Sequence, residues 1–118
     1  MREIAIVSTD GATAQRLAAL IAGQDFRVTT YTPDTLPAEL PALFIVAMPA
    51  LSSPEEQVIE RLRADEATAN VPIVIVSALP MNELQSVPYA SDWTIAIVPE
   101  PVEAKVLVDT IHFLLGGS

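Results

Sequence analysis

Apolar runs along the chain predict five strands that are buried or half-buried. The most apolar stretch, Ala42–Met48 followed by Pro49, contains no charged residue. A run of this kind is typical of a strand that is buried on both faces in the centre of a parallel sheet. Four further runs rich in β-branched or aromatic residues predict the strands Ile4–Val7, Phe26–Tyr31, Ile73–Val76 and Trp93–Val98.

Between these runs, apolar residues recur at helical spacing. The first helical segment ends near Gly23, and the second begins at Pro54, with Ser53 as its N-cap. On this second helix, Glu60 and Arg63 are predicted to lie one turn apart on the exposed side. The buried faces are predicted to be Ala14, Leu17, Ala18 and Ile21 in the first helix, and Val58, Ile59 and Leu62 in the second.

Prolines limit two of the remaining helices. Three prolines within Thr32–Pro41 allow only a short helix, around Asp34–Leu40, and Pro88 leaves only a weak helix in Met81–Asp92. The last helix follows Glu100 and Pro101 and ends at Gly116. Its buried face is predicted to consist of Ala104, Leu107, Val108, Ile111, Leu114 and Leu115.

The predicted order is strand then helix, repeated five times. Because crossovers between parallel strands are right-handed, we expect an α/β fold with a doubly wound, five-stranded parallel sheet. The expected strand order is the flavodoxin-like 2-1-3-4-5, with helices on both faces. Ligands of such folds bind beyond the carboxyl ends of the strands, where strands 1 and 3 diverge. The residues predicted at this edge are Ser8, Thr9, Asp10, Ala47, Met48, Ser77, Ala78 and Glu100.

Length and composition restrict the functions to consider. The 118 residues suit one domain, which we expect to span residues 1–115, with residues 116–118 as a linker or chain end. A net charge of −9 opposes binding to nucleic acid, and the absence of cysteine excludes disulfides and thiolate metal sites. The apolar runs are too short to cross a membrane. The start of the chain lacks a signal-peptide pattern, so we expect a cytoplasmic location.

Four sequence blocks carry a resemblance to a known family. They are Glu3–Asp10, Arg61–Pro72, Ile73–Ala78 and the pair Glu100-Pro101. Their residues and spacing resemble the receiver domains of bacterial two-component response regulators, over nearly the whole chain. The resemblance implies the same fold and a role in signal transduction.

The resemblance also implies where phosphorylation chemistry would lie. Receiver domains use two acidic residues after the first strand, a phosphate-accepting Asp after the third, a hydroxyl after the fourth and a Lys after the fifth. Asp10 matches a third position that is commonly acidic, and Ile97 falls where an aromatic switch residue is expected. By this resemblance the acidic pair falls on Ser8 and Thr9, and the phosphate acceptor falls on Ala47. The hydroxyl falls on Ser77 and the lysine on Glu100, so only Ser77 has the expected type of side chain.

These departures predict a module that cannot be phosphorylated. A methyl group at Ala47 cannot accept phosphate, and Glu100 reverses the charge of the expected lysine. Shifting the third strand by one or two residues offers only Val46, Ile45 or Met48, none of which is a nucleophile. The chain is therefore interpreted as a pseudo-receiver that is not an enzyme. It is expected to have no catalytic residue, metal or cofactor, and to act through protein-protein contacts in a two-component or related bacterial signalling protein.

One apolar set suggests where such contacts form. Val102, Val106 and Phe113 are predicted to lie opposite the buried face of the last helix, which suits a protein interface. The expected occupants are a neighbouring signalling domain, another protein or a second copy of the chain. The alternative is that Phe113 folds back over the chain end and the valines are isolated.

The edge residues also allow a different function. Ser8, Thr9 and Ser77 are candidates for a small-ligand pocket at the ends of strands 1 and 3, with Glu100 holding a cation or amine. Alternatively, these hydroxyls cap local turns and helix starts while Glu100 bonds to them or faces water, and Asp10 caps the first helix. His112 is expected to be solvated rather than catalytic. No nucleophile and base pair, metal cluster or acid pair supports an enzyme.

Overall fold

The computed structural model of the protein describes residues 2–24, 26–49, 53–84 and 94–116. The described strands form one parallel sheet whose order is 2-1-3-4-5, so the predicted fold class is confirmed. The elements are the strands β1 (Arg2–Val7), β2 (Phe26–Tyr31), β3 (Leu43–Ala47), β4 (Ile73–Ser77) and β5 (Ile95–Pro99), and the helices α1 (Gly11–Leu20), α2 (Pro54–Ala64), α3 (Met81–Leu84) and α4 (Ala104–Leu114).

Strand β3 lies at the centre of the sheet, and all five of its residues are buried. Alternate side chains along each strand point to opposite faces, so the sheet divides the core into two apolar clusters. One cluster joins the sheet to α1 and α4, and the other joins it to α2 and α3. Helices therefore cover both faces, as the sequence predicted.

Two helices begin at side-chain caps that the sequence indicated. The Asp10 carboxylate accepts a hydrogen bond from the Ala12 N–H at the start of α1. The Ser53 hydroxyl accepts one from the Glu56 N–H at the start of α2, at 3.3 Å. Each cap satisfies a backbone donor that the first turn of a helix leaves unpaired.

The connection between β2 and β3 contains no helix, so the expected short helix at Asp34–Leu40 was wrong. Prolines within this segment remove backbone donors that a helix requires. The segment instead forms a turn in which the Thr35 hydroxyl accepts a hydrogen bond from the Thr32 N–H at 3.0 Å. The expected repetition of strand and helix is therefore interrupted at the second crossover.

Two further predictions lie partly beyond the described residues. Of the weak helix expected over Met81–Asp92, the structure describes Met81–Leu84, and this part is helical. Trp93, the predicted start of the last strand, also lies outside the described residues, and β5 is described from Ile95. No described helix is both long and apolar enough to cross a membrane.

Arg63 is not on the exposed side of α2, contrary to the prediction. Its guanidinium donates hydrogen bonds to the carbonyls of Thr68 and Val71 and to the hydroxyl of Thr94, at 3.2, 3.0 and 2.6 Å. A guanidinium carries five donors in a fixed plane, so one side chain can tie several loop groups together. Arg63 therefore fastens the loop after α2 to the residue before β5.

His112 differs from the prediction in a similar way. The side chain is only partly exposed, and its ring lies against Phe26 with ring centroids 5.4 Å apart and planes tilted by 51°. This contact links α4 to the first residue of the edge strand β2. The imidazole is therefore part of the packing rather than fully solvated.

We predict that Ser53→Ala lowers the free energy of unfolding by about 1 kcal/mol, because the Glu56 N–H loses its side-chain acceptor. Chemical denaturation of the two proteins measures this difference. The control is Ser53→Thr, which keeps a hydroxyl at the N-cap and should remain close to the original stability. Equal stability of the alanine and threonine variants would show that the cap contributes nothing.

Candidate functional site

A pocket of about 270 Å³ lies at the carboxyl edge of the sheet. The ends of β1 and β3 form much of its wall, where the chain leaves the sheet in opposite directions. Such a divergence leaves a crevice that no crossover covers. The lining residues are Ser8, Thr9, Asp10, Thr13, Ala47, Met48, Pro49, Glu55, Val76, Ala78 and Glu100.

The structure brings together five of the six residues predicted at the degenerate phosphorylation site. They are Ser8, Thr9, Asp10, Ala47 and Glu100. The sixth, Ser77, is buried and does not line the pocket. Its hydroxyl accepts a hydrogen bond from the Leu79 N–H at 3.1 Å and so stabilises the turn after β4.

Ser8 is buried and its hydroxyl is used within the local turn. The oxygen accepts a hydrogen bond from the Asp10 N–H at 3.0 Å and donates one to the Asp10 carbonyl at 3.1 Å. These bonds fix the direction in which the chain leaves β1 and enters α1. Ser8 thus has the turn-forming contacts that we considered as the alternative to ligand binding.

Asp10 is exposed and caps α1. One carboxylate oxygen accepts a hydrogen bond from the Ala12 N–H at 3.0 Å, and the other accepts one from the Thr13 hydroxyl at 2.9 Å. Both bonds favour the charged form, with the Thr13 hydroxyl the larger cause, and they hold the pKa of Asp10 below its ordinary value of 3.8.

Glu55 is a pocket residue that the sequence interpretation did not select. It is the second residue of α2 and is 1% exposed. Its Oε2 accepts hydrogen bonds from the Thr9 N–H at 3.0 Å and from the Thr9 hydroxyl at 2.8 Å. The sequence indicated only that this glutamate begins a helix, because nothing local relates it to a residue 46 positions earlier.

Glu100 forms an ion pair with Arg16 on α1. The distance from Arg16 Nη2 to Glu100 Oε1 is 2.8 Å, and both side chains are partly exposed. The Glu100 N–H also donates a hydrogen bond to the Ser77 carbonyl at 2.9 Å, which fixes the start of the connection to α4. The cation beside Glu100 is thus Arg16 of the same chain, whereas the sequence interpretation considered Glu100 as the residue that holds the cation or amine of a ligand.

The charge of the pocket wall is negative. Three carboxylates line it, those of Asp10, Glu55 and Glu100, and the lining residues include no lysine, arginine or histidine. Arg16 reaches Glu100 without lining the pocket itself. An anion would be repelled by such a wall unless it brought its own cation.

The predicted interface residues differ in exposure. Phe113 is 76% exposed and Val106 is 45% exposed, both on α4. Val102 lies before the N-cap Glu103 and packs against the core cluster on the α1 and α4 face. It therefore does not belong to an outer helical face, contrary to the prediction, because the helix begins after it.

Comparison with known proteins finds similar solved structures whose sequence identity to this chain is low. No family model matches the chain, and no curated protein matches its sequence. The receiver domain of a signal transduction histidine kinase from Syntrophus aciditrophicus has a TM-score of 0.81 at 18% identity, covering 99% of this chain and 92% of that one. A CheY-like response regulator receiver domain protein from Methanospirillum hungatei has a TM-score of 0.76 at 16% identity, covering 98% and 94%.

A third solved structure is the receiver domain of a sensor histidine kinase from Pseudomonas aeruginosa, with a magnesium ion coordinated in its active-site cleft. It has a TM-score of 0.79 at 14% identity and covers 98% of both chains. Each of these three structures aligns with nearly the whole of this chain. The chain has the receiver-domain fold.

We predict that Asp10 titrates below pH 3.8 in the folded protein. A lowered pKa means that its contribution to stability is present above the ordinary value and is lost as the pH falls through the folded-state value. Carboxyl-carbon NMR across an acid titration measures the midpoint.

Thr13→Val removes the larger cause and should raise that midpoint towards the ordinary value. Thr110→Val is the matched control, since the Thr110 hydroxyl donates to the Val106 carbonyl on another helix. A midpoint for Asp10 that does not respond to Thr13→Val would contradict this explanation.

Proposed function

We propose that the chain is a receiver-like signalling module that has lost phosphorylation and acts through protein contacts. Residues 1–115 would form this module in a bacterial two-component or related protein. The observation that carries the proposal is Ala47 at the carboxyl end of β3. Receiver domains carry their phosphate-accepting aspartate at this position, and a methyl group has no atom that attacks phosphorus.

The side chains around the pocket that could bind a metal ion support this proposal. Mg²⁺ is bound through about six oxygen ligands in near-octahedral geometry, commonly including carboxylates. Among the described residues, no group of three or more acidic, histidine or cysteine side chains could hold a metal ion. Both carboxylate oxygens of Asp10 already accept hydrogen bonds. The residues present therefore do not fit the magnesium ion that receiver phosphorylation requires.

The ion pair between Glu100 and Arg16 gives independent support. In receiver domains a lysine at the position of Glu100 stabilises the phosphoryl group. A carboxylate there would oppose phosphate, and its own cation, Arg16, is 2.8 Å away. The charge is thus balanced inside the protein without a phosphoryl group.

The exposed apolar residues of α4 support action through contacts. Contact of large apolar side chains with water is unfavourable, and their burial against a partner lowers the free energy. Phe113 is 76% exposed, which is the largest exposed fraction among the large apolar residues described as exposed. We propose that Val106 and Phe113 form the centre of a contact surface that pairs with a second copy or a neighbouring domain.

We predict that Mg²⁺ followed by beryllium fluoride, a mimic of the acyl phosphate, leaves the amide NMR spectrum near Ser8 and Ala47 unchanged. The reason is that Ala47 offers no nucleophile and that the described residues form no group of three or more side chains able to hold a metal ion. The receiver domain of the Pseudomonas aeruginosa kinase is a suitable positive control, since its cleft coordinates magnesium. Saturable shifts in the chain itself would show that the pocket still binds the phosphoryl mimic and would end this proposal.

We predict that Val106→Asp combined with Phe113→Asp weakens self-association while the fold is retained. Burying a phenylalanine contributes about 1.5–3 kcal/mol, so the dissociation constant should rise by about tenfold or more. Sedimentation velocity over a range of concentrations measures this constant, and circular dichroism checks the fold.

Leu40→Asp is the matched control for that variant. Leu40 is 54% exposed and lies in the connection between β2 and β3, so its substitution adds an aspartate at a different exposed apolar position, with one negative charge against the two of the α4 variant. Association of the control should equal that of the unaltered chain. If the α4 variant associated as strongly as this control, the surface of Val106 and Phe113 would not be the contact.

A further inference from the structure

Glu55 has one carboxylate oxygen that the protein leaves without a partner. Thr9 donates both of its hydrogen bonds to Oε2, whereas Oε1 is buried and accepts no hydrogen bond from the residues that the structure describes. A buried carboxylate oxygen that has lost its water carries a free-energy penalty unless a donor reaches it. This penalty falls at the wall of the pocket, because Glu55 is one of its lining residues.

We propose that the pocket binds a small organic cation that donates an N–H hydrogen bond to Glu55 Oε1. The relevant chemical class is an alkylammonium or guanidinium group. A hydrogen bond from a charged donor to a carboxylate is about twice as strong as one between neutral groups. The ligand would thus supply both the missing donor and the charge that the pocket wall favours.

The electrostatics of the wall select this class over anions. Asp10, Glu55 and Glu100 all line the pocket, and only Glu100 has a basic side chain paired with it among the described contacts. The nearby Thr9 hydroxyl is already committed to Glu55. A phosphate or carboxylate ligand would meet negative charge and few free donors, whereas a monovalent cation would be attracted.

The number of free acceptors selects an organic cation over a metal ion. A divalent metal needs several oxygen ligands at once, and the two oxygens of Asp10 are both used in capping α1. An N–H donor needs only one acceptor, which Oε1 provides. The pocket volume of about 270 Å³ is suited to a small molecule, with apolar contacts from Ala47, Met48 and Val76.

Access to Oε1 requires a local movement. The atom is buried, so a ligand must turn a neighbouring side chain aside before it reaches the oxygen. Thr9 is exposed, lines the pocket and contacts the same carboxylate. Its amide N–H is bonded to Glu55 Oε2 at 3.0 Å and will therefore respond to any change at this carboxylate.

The first test compares three probes on the unaltered chain by amide NMR. Methylguanidinium has charge and N–H donors, methylurea has donors without charge, and tetramethylammonium has charge without N–H donors. We expect saturable shifts at Thr9 and Ala47 with methylguanidinium, and binding weaker by about tenfold with each of the other probes. Equal binding of all three, or no saturable shift with methylguanidinium, would overturn the proposal.

The second test removes the charge of Glu55. Glu55→Gln keeps the shape and an acceptor for Thr9, and it should weaken methylguanidinium binding by about tenfold. Glu60→Gln is the control, because Glu60 is exposed on the same helix and does not line the pocket. Equal loss in both variants would assign the binding to general surface charge and overturn the proposal.

A competition with Mg²⁺ separates this inference from the proposed function. Mg²⁺ should neither produce saturable shifts nor displace methylguanidinium. Displacement by Mg²⁺ would make the pocket a metal site and overturn the organic-cation proposal. The beryllium fluoride titration tests phosphorylation separately, so either proposal can fail while the other stands.

Discussion

The burial of β3 on both faces is the constraint on which the rest of the structure depends. All five of its residues are buried, and helices must cover both sides of the sheet to achieve this. The end of the strand therefore lies in a fixed position at the pocket, with Ala47 packed in the cluster beneath α1 and α4. An aspartate at that position would need a cation nearby, and the described residues that line the pocket include no basic side chain.

The polar contacts at the pocket link elements that are distant in the sequence. Hydroxyls follow β1, and the buried carboxylate comes from Glu55 at the start of α2. Its two bonds to Thr9 join the turn after β1 to the helix after β3, while Arg16 and Glu100 join α1 to the connection before α4. Each contact fixes part of the pocket wall. Among the described residues, internal hydrogen bonds and the Arg16–Glu100 ion pair therefore organise the site.

The sequence predicted those features that depend on local patterns. Runs of apolar, β-branched and aromatic residues located the strands, and the caps Asp10 and Ser53 were recognisable because a cap and its helix adjoin in the chain. Contacts between distant polar residues leave no such pattern. Glu55 lies 46 residues from Thr9, and Arg63 lies 31 residues from Thr94, so their roles appear only when the sheet brings them together. A short helix was expected at Asp34–Leu40 because the fold usually has a helix between two strands. It does not form, since the prolines of this segment lack the backbone donors that a helix requires.

The last helix uses one side for packing in the core and leaves large apolar residues exposed on the other. Its N-cap, Glu103, makes no side-chain capping bond, so packing rather than capping holds the helix in place. Leu107 and Ile111 provide that packing and are fully buried against the sheet. Val106 and Phe113 contribute little to it, since water already reaches much of their surface. Charge on the outer side should therefore cost little stability, so this side of the helix can change without loss of the fold.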